Sequence, residues 1–224
     1  MTRWAKRFAL PIMLLCLVLI GMGRVVVPFW GNPWVRLTMG WRVSNYLSER
    51  YPETRFELTD TGYDFANQGY VAHVRSKTVP AVEAIVVLSQ DGKSRDDYLE
   101  RKLKTEMVAQ LKPVVQLVLP GATVSAEIRL PDGSKYGEGM TYGPEVGGEM
   151  RAVITWELSS ADPTLFVEQV TAVLVTVRQS GLRVDGCLFW GNLGDRSYAL
   201  NLTKAEMVFT SEQLLPLVTK PGKW

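Results

Sequence analysis

Histidine occurs once and cysteine twice among the 224 residues of this chain, and the two scarcities remove much chemistry before any motif is sought. Any Ser-His-Asp or Cys-His mechanism would have to use His73, and nothing around Cys187, Ser89 or Ser94 resembles a nucleophile elbow. His73 falls on the outward side of a predicted strand and reads as structural. One histidine and one cysteine beyond the N-terminal segment fall short of a zinc ligand set. Cys16 lies inside an apolar run and Cys187 far outside it, so no intramolecular disulfide is expected and an apolar core must do the stabilising. A dominant charge is also missing. Arg3, Lys6, Arg7 and Arg24 stand within the first thirty positions while all 23 acidic residues lie beyond them; of 25 basic residues, 21 remain against 23 acids, a net −2. No basic stripe is left to neutralise phosphates, and a nucleic-acid partner is excluded.

What is present starts with an uncharged run from Phe8 to Gly23 behind Arg3, Lys6 and Arg7. As a helix it spans roughly 24 Å, and apolar character resumes after Arg24 with Val25, Val26, Val27, Phe29 and Trp30. Arg24 can snorkel toward headgroups, and Trp4, Trp30 and Trp34 sit where indoles favour an interface. These features predict a basic tail over 1–7 and a transmembrane signal-anchor over 8–30, with the N-terminus cytoplasmic. A cleaved signal peptide ending at Gly21-x-Gly23 and a buried core helix are the competing readings. Lipidation at Cys16 is not one of them, because Met13-Leu14-Leu15 lacks the small residue a lipobox needs.

Asn32-Pro33 reads as a helix start, and Val35, Met39, Val43, Tyr46 and Leu47 recur at helical spacing until Tyr51-Pro52. Strands are predicted over 56–63, 69–75 and 83–88, then a helix from Asp96 with Leu99, Leu103, Met107 and Leu111 on one face, limited by Lys112-Pro113. Residues 31–113 thus form one α+β unit. In the second unit, 114–224, strands over 123–130 and 150–158 flank a glycine-rich loop. Asp162-Pro163 opens a helix, strands over 184–190 and 197–203 flank a turn, and Thr210-x-x-Gln213 is a capping box.

The candidates for chemistry mostly have plainer explanations. Asp91, Asp96 and Asp97 do not make a calcium loop, since the twelfth position is Tyr98 rather than Glu; Asp96 suits a helix N-cap and Asp97 the positive end of the dipole. Gly133, Gly137, Gly139, Gly143, Gly147 and Gly148 lack the spacing of a phosphate loop and read as a mobile connection, with a partner-binding lip as the functional alternative. Trp41, Trp156 and Trp190 read as core or sheet-face residues rather than a sugar platform. No catalytic, cofactor-binding or metal residue is assigned, and no cofactor is implied.

Three groups of residues carry a resemblance. They are Tyr46-Leu47-x-Glu49-x-Tyr51-Pro52, then Tyr63-Asp64-Phe65 with Gly69-Tyr70-x-x-x-Val74, and Asp91-Gly92-x-x-x-Asp96-Asp97-Tyr98-Leu99. Over roughly residues 1–112 the chain resembles the YfjL-like proteins of Gram-positive bacteria. The resemblance implies an N-terminal signal or anchor and an exported α+β domain, and it brings no catalytic residues. The order of one helix and three strands is also similar in pattern to PepSY-type domains.

The expectation is an α+β protein: an N-terminal transmembrane helix, then two small units of antiparallel sheet plus helix, αβββα and ββαββα. It would be a single-pass plasma-membrane protein whose larger part is extracytoplasmic, partnered by the lipid bilayer through 8–30. Its expected role is a binding or interaction module for an envelope protein at the bacterial cell envelope. An envelope hydrolase using Glu138, Tyr142 and Glu145 and a PepSY-like regulator of an extracytoplasmic protease are the alternatives.

Overall fold

A computed structural model describes residues 32–66, 69–78, 80–89, 93–131, 139–143, 145–194 and 196–219, together with Met13. Contacts divide the chain into two compact units, Met1–Tyr98 and Leu99–Trp224.

The first unit opens with helix α1, Pro33–Arg50. Asn32 caps it by accepting the Trp34 N–H at 2.9 Å, and Pro33 occupies a first-turn position that needs no donor. Met39, Val43 and Leu47 form its buried stripe, and Tyr51 follows them into the core before Pro52. Four strands follow: β1 Phe56–Asp64, β2 Gly69–Ser76, β3 Glu83–Ser89 and β4 Ser94–Asp96. They pair in sequence order as an antiparallel meander, with Val74 set between Leu58 and Ala84. Ala72, Val74, Ala84 and Val86 face α1's stripe in one cluster, while His73 points to the exposed side. The fourth strand, three residues long, gave too short a pattern for the sequence to separate from a helix start.

The second unit holds α2 Tyr98–Gln116, β5 Thr123–Arg129, β6 Glu149–Glu157, α3 Pro163–Gln179, β7 Gly186–Leu193, β8 Arg196–Thr203 and the short α4 Ser211–Leu214. From Leu99 onward α2 buries Leu103, Met107, Leu111 and Val115 in the cluster of this second sheet, so most of the helix that the sequence groups with the first strands belongs here. It continues past Pro113. The fully buried Val115 lies beyond that proline, and burial of such a side chain contributes about 1.5–3 kcal/mol, comparable to the roughly 3 kcal/mol an interior proline costs. The sheet order is β5-β6-β7-β8, and β6 pairs with β7 in parallel, Ile154 opposite Phe189. A purely antiparallel second sheet is therefore corrected to a mixed one: α3 carries the chain back to the start of the sheet, so β7 runs in the direction of β6.

The transmembrane helix in the expected fold class is corrected as well. Among the described residues no helix is long and apolar enough to cross a membrane, and the expected segment 8–30 lies, Met13 apart, outside them. The reason is charge and length. Arg36, Arg42, Glu49 and Arg50 stand on α1, and Glu100, Arg101, Lys102, Lys104, Glu106 and Lys112 on α2. The most apolar helix, α3, has 17 residues and still carries Glu168 and Arg178, against about 20 apolar residues for a span. The signal-anchor, the single-pass plasma-membrane location with a cytoplasmic N-terminus and extracytoplasmic remainder, the bilayer as partner through 8–30, and the membrane-anchored envelope function rested on that segment and are withdrawn with it.

Candidate functional site

Two features of the first unit combine local chemistry with a shaped surface. The first is a carboxylate taken out of water. Asp96 ends β4 with a side chain only 1% exposed, and three hydrogen-bond donors and one guanidinium converge on it. Oδ2 accepts the Tyr46 hydroxyl at 2.6 Å and lies 3.2 Å from Arg50 Nε; Oδ1 accepts the Tyr51 hydroxyl at 2.7 Å and the Tyr98 N–H at 3.0 Å. Arg50 Nε also donates to the Tyr51 hydroxyl at 3.1 Å, and the rings of Tyr51, Phe56 and Tyr98 pack edge-on around the group. Burial first, and then the bond to Asp96, raises both Tyr46 and Tyr51 well above the ordinary tyrosine range. With three hydrogen bonds and an ion pair on one carboxylate, the cluster ties the end of α1 to β4 and to Tyr98. It is a keystone of the fold rather than a reacting centre.

The second is a groove of about 410 Å³ between α1 and the β1–β2 edge. Its origin is Gly40. Leu58 is on the inward face of β1, opposite Val74, yet it is 41% exposed, because α1 presents no side chain to cover it there. A Cβ on Gly40 would meet only Leu58 Cδ2, at 3.5 Å, an ordinary contact. Neither sterics nor an unusual φ requires glycine at this position, and mid-helix glycine costs about 1 kcal/mol relative to alanine. Val43, Leu47, Phe56 and Val74 form the apolar floor, and Arg55 and Lys77 reach the rim. The Lys77 N–H donates to the Arg55 carbonyl at 2.8 Å, which sets the two cations side by side. Neither forms an ion pair with a carboxylate among the described residues. A smaller depression of about 300 Å³ on another side of α1 is lined by Trp41, Asn45, Glu49, Ser89 and Ser94.

The residues singled out from sequence fall into place unevenly. Asp96 does take the Tyr98 N–H, but from within a strand, and Asp97 accepts the Ile85 N–H at 2.6 Å instead of serving the helix alone. Trp156 is core, stacked on Phe166 with centroids 5.3 Å apart, and Trp190 is half-buried, whereas Trp41 stands 68% exposed. Cys187 is buried and free, and burial pushes its thiol up to about 12, which leaves no thiolate near neutrality. Cys16, Asp91 and Glu138 lie outside the described residues.

Tyr142 and Glu145 do not form a reacting pair. The buried Tyr142 donates its hydroxyl to the Arg183 carbonyl and its N–H goes to Glu106 at 2.7 Å, while Glu145 is exposed. Burial first, then the nearby Asp185, raises Tyr142 to about 12. Arg183 donates to the Val146 carbonyl, to the Gly148 carbonyl at 3.0 Å and to Asp185 at 2.8 Å, pinning the described end of the glycine-rich connection. Burial works to raise Asp185, but hydrogen bonds from Arg183 and Lys204 outweigh it and hold the carboxyl below its usual range. Among the described residues no three His, Cys, Asp or Glu side chains gather as a metal site.

The groove was missed from sequence, although Gly40 inside an otherwise regular helix was its signal. The first unit is thus an α+β domain of one helix on a four-stranded meander. Residues 5–86 match the family described as YfjL-like, N-terminal domain, so the chain carries an N-terminal YfjL-like domain. Neither the curated proteins nor the solved structures gave a significant match.

Proposed function

We propose that the YfjL-like unit is a binding module for a small molecule with an apolar body, received in the groove between α1 and β1. The observation that supports this is the uncovered inward face at Leu58: an apolar floor left open by a glycine that local packing does not demand. Its volume of about 410 Å³ falls within the roughly 300–1,000 Å³ of small-molecule sites. The Asp96 cluster at the C-terminal end of α1 ties that helix to β4, which supports a groove that is preformed rather than assembled on binding. The resemblance of this half to YfjL-like proteins also supports an origin in Gram-positive bacteria, which a source organism with an outer membrane would overturn.

The test uses the full chain and the neutral apolar dye 1-aminoanthracene. Saturable binding at one dye per chain is expected, with loss of most of the signal in Gly40→Phe, whose ring fills the groove over Leu58. Circular dichroism confirms that the variant is folded. Absence of saturable binding, or equal binding by the folded variant, refutes the reading.

A further inference from the structure

We infer that the ligand of this groove is a single-chain amphiphile ending in a carboxylate, of the medium-chain fatty-acid class; the inference rests on the binding reading above. Arg55 and Lys77 are placed side by side by their backbone hydrogen bond, both are exposed, and both line the same groove. Like charges on neighbouring strand positions repel. Elsewhere in this sheet the structure pairs its charges across strands, as in Arg75 with Glu83. Among the described residues no carboxylate lines this groove. The groove is thus lined by two positive charges with no ion-pair partner among the described residues, together with the apolar Val43, Leu47, Phe56 and Val74. An acyl chain laid along that floor brings its carboxylate to the two cations, removes apolar surface from water and relieves their repulsion in one event. A neutral molecule of the same length gains only the first of these.

Competition against bound 1-aminoanthracene tests this, with decanoate and 1-decanol as probes at neutral pH. Decanoate is expected to displace the dye at about tenfold lower concentration, the size that two partly exposed charge contacts supply together. In Arg55→Gln/Lys77→Gln the advantage should fall to within about twofold while decanol is unchanged. In the unaltered chain, raising the salt should weaken decanoate alone, which keeps the question answerable if the double variant does not fold. Equal displacement by the two probes, or a decanoate advantage insensitive to salt, overturns the fatty-acid inference while dye binding still stands. Preference for a peptide with an apolar C-terminal residue over decanoate overturns it too. Failure of the dye itself to bind is the separate outcome that removes the binding module.

Discussion

Replacing Asp96 by asparagine keeps the shape of the side chain and removes its charge, and the structure sets what that should cost. The carboxylate is 1% exposed, accepts hydrogen bonds from Tyr46, Tyr51 and the Tyr98 N–H, and pairs with the Arg50 guanidinium. A hydrogen bond to a charged group contributes about 1.5–3 kcal/mol and a neutral one about 1, so the two tyrosine bonds together lose about 1–4 kcal/mol. The new amide NH2 also turns a donor toward groups that are themselves donors, and a buried unsatisfied polar group costs a further ~1–3 kcal/mol. The sum is about 2–7 kcal/mol. Hydrogen exchange read by mass spectrometry across a urea series separates peptides of residues 33–98 from those beyond. Asp96→Asn should shift the first set strongly and leave the core strands of the second unit unchanged. Combined with Tyr46→Phe, the two changes should be less than additive, since they remove one shared interaction. A loss below about 1 kcal/mol, or full additivity, would refute the keystone role.

Two other consequences concern pH and backbone. Tyr46 and Tyr51 are raised, by burial and then by Asp96, so the folded unit holds protons the unfolded chain releases. Their stabilisation is complete below about pH 10, the unfolded tyrosine value, and is lost as pH rises through the higher folded values. A phenolate absorbance titration should show late-titrating groups, Tyr142 among them, of which one is lost in Tyr46→Phe and another in Tyr51→Phe; an unchanged late fraction in both variants would contradict this. Gly148 has φ +103°, and a Cβ there would collide with the Arg129 carbonyl oxygen. Gly148→Ala should therefore cost about 1–3 kcal/mol, measured as a urea midpoint by fluorescence of Trp156 in the second unit. A change under about 0.5 kcal/mol would mean that the strand end relaxes freely.

The elements were legible wherever periodicity ran long. The spacing of Met39, Val43 and Leu47 marks α1, and the alternation of Ala72 and Val74 with His73 marks β2. Lys112-Pro113 misled, because a local stop signal says nothing of the core that Val115 enters. The parallel pairing of β6 with β7 was hidden because a strand's own pattern carries its buried face but not the direction of its neighbour. The Asp96 cluster was half legible: its tyrosines stand in the motif that carries the family resemblance, but nothing in sequence brings positions 46, 51 and 96 to one oxygen pair.

By itself the sequence determined the scarcity of histidine and cysteine, the mild negative charge beyond the first thirty residues, the helical and strand faces, and the YfjL-like N-terminal domain over residues 5–86. These are properties of composition and short-range order, fixed by which side chains recur at a period of 3.6 or 2. Only the tertiary structure decided that α2 packs with the second sheet, that Trp41 faces solvent while Trp156 stacks in a core, and that Asp96 is spent on three hydrogen bonds and an ion pair. It decided as well that the missing side chain of Gly40 leaves Leu58 uncovered in a groove that Arg55 and Lys77 also line. A void and a pair of neighbouring charges are relations between residues distant along the chain, and they exist only once the helix lies on the sheet.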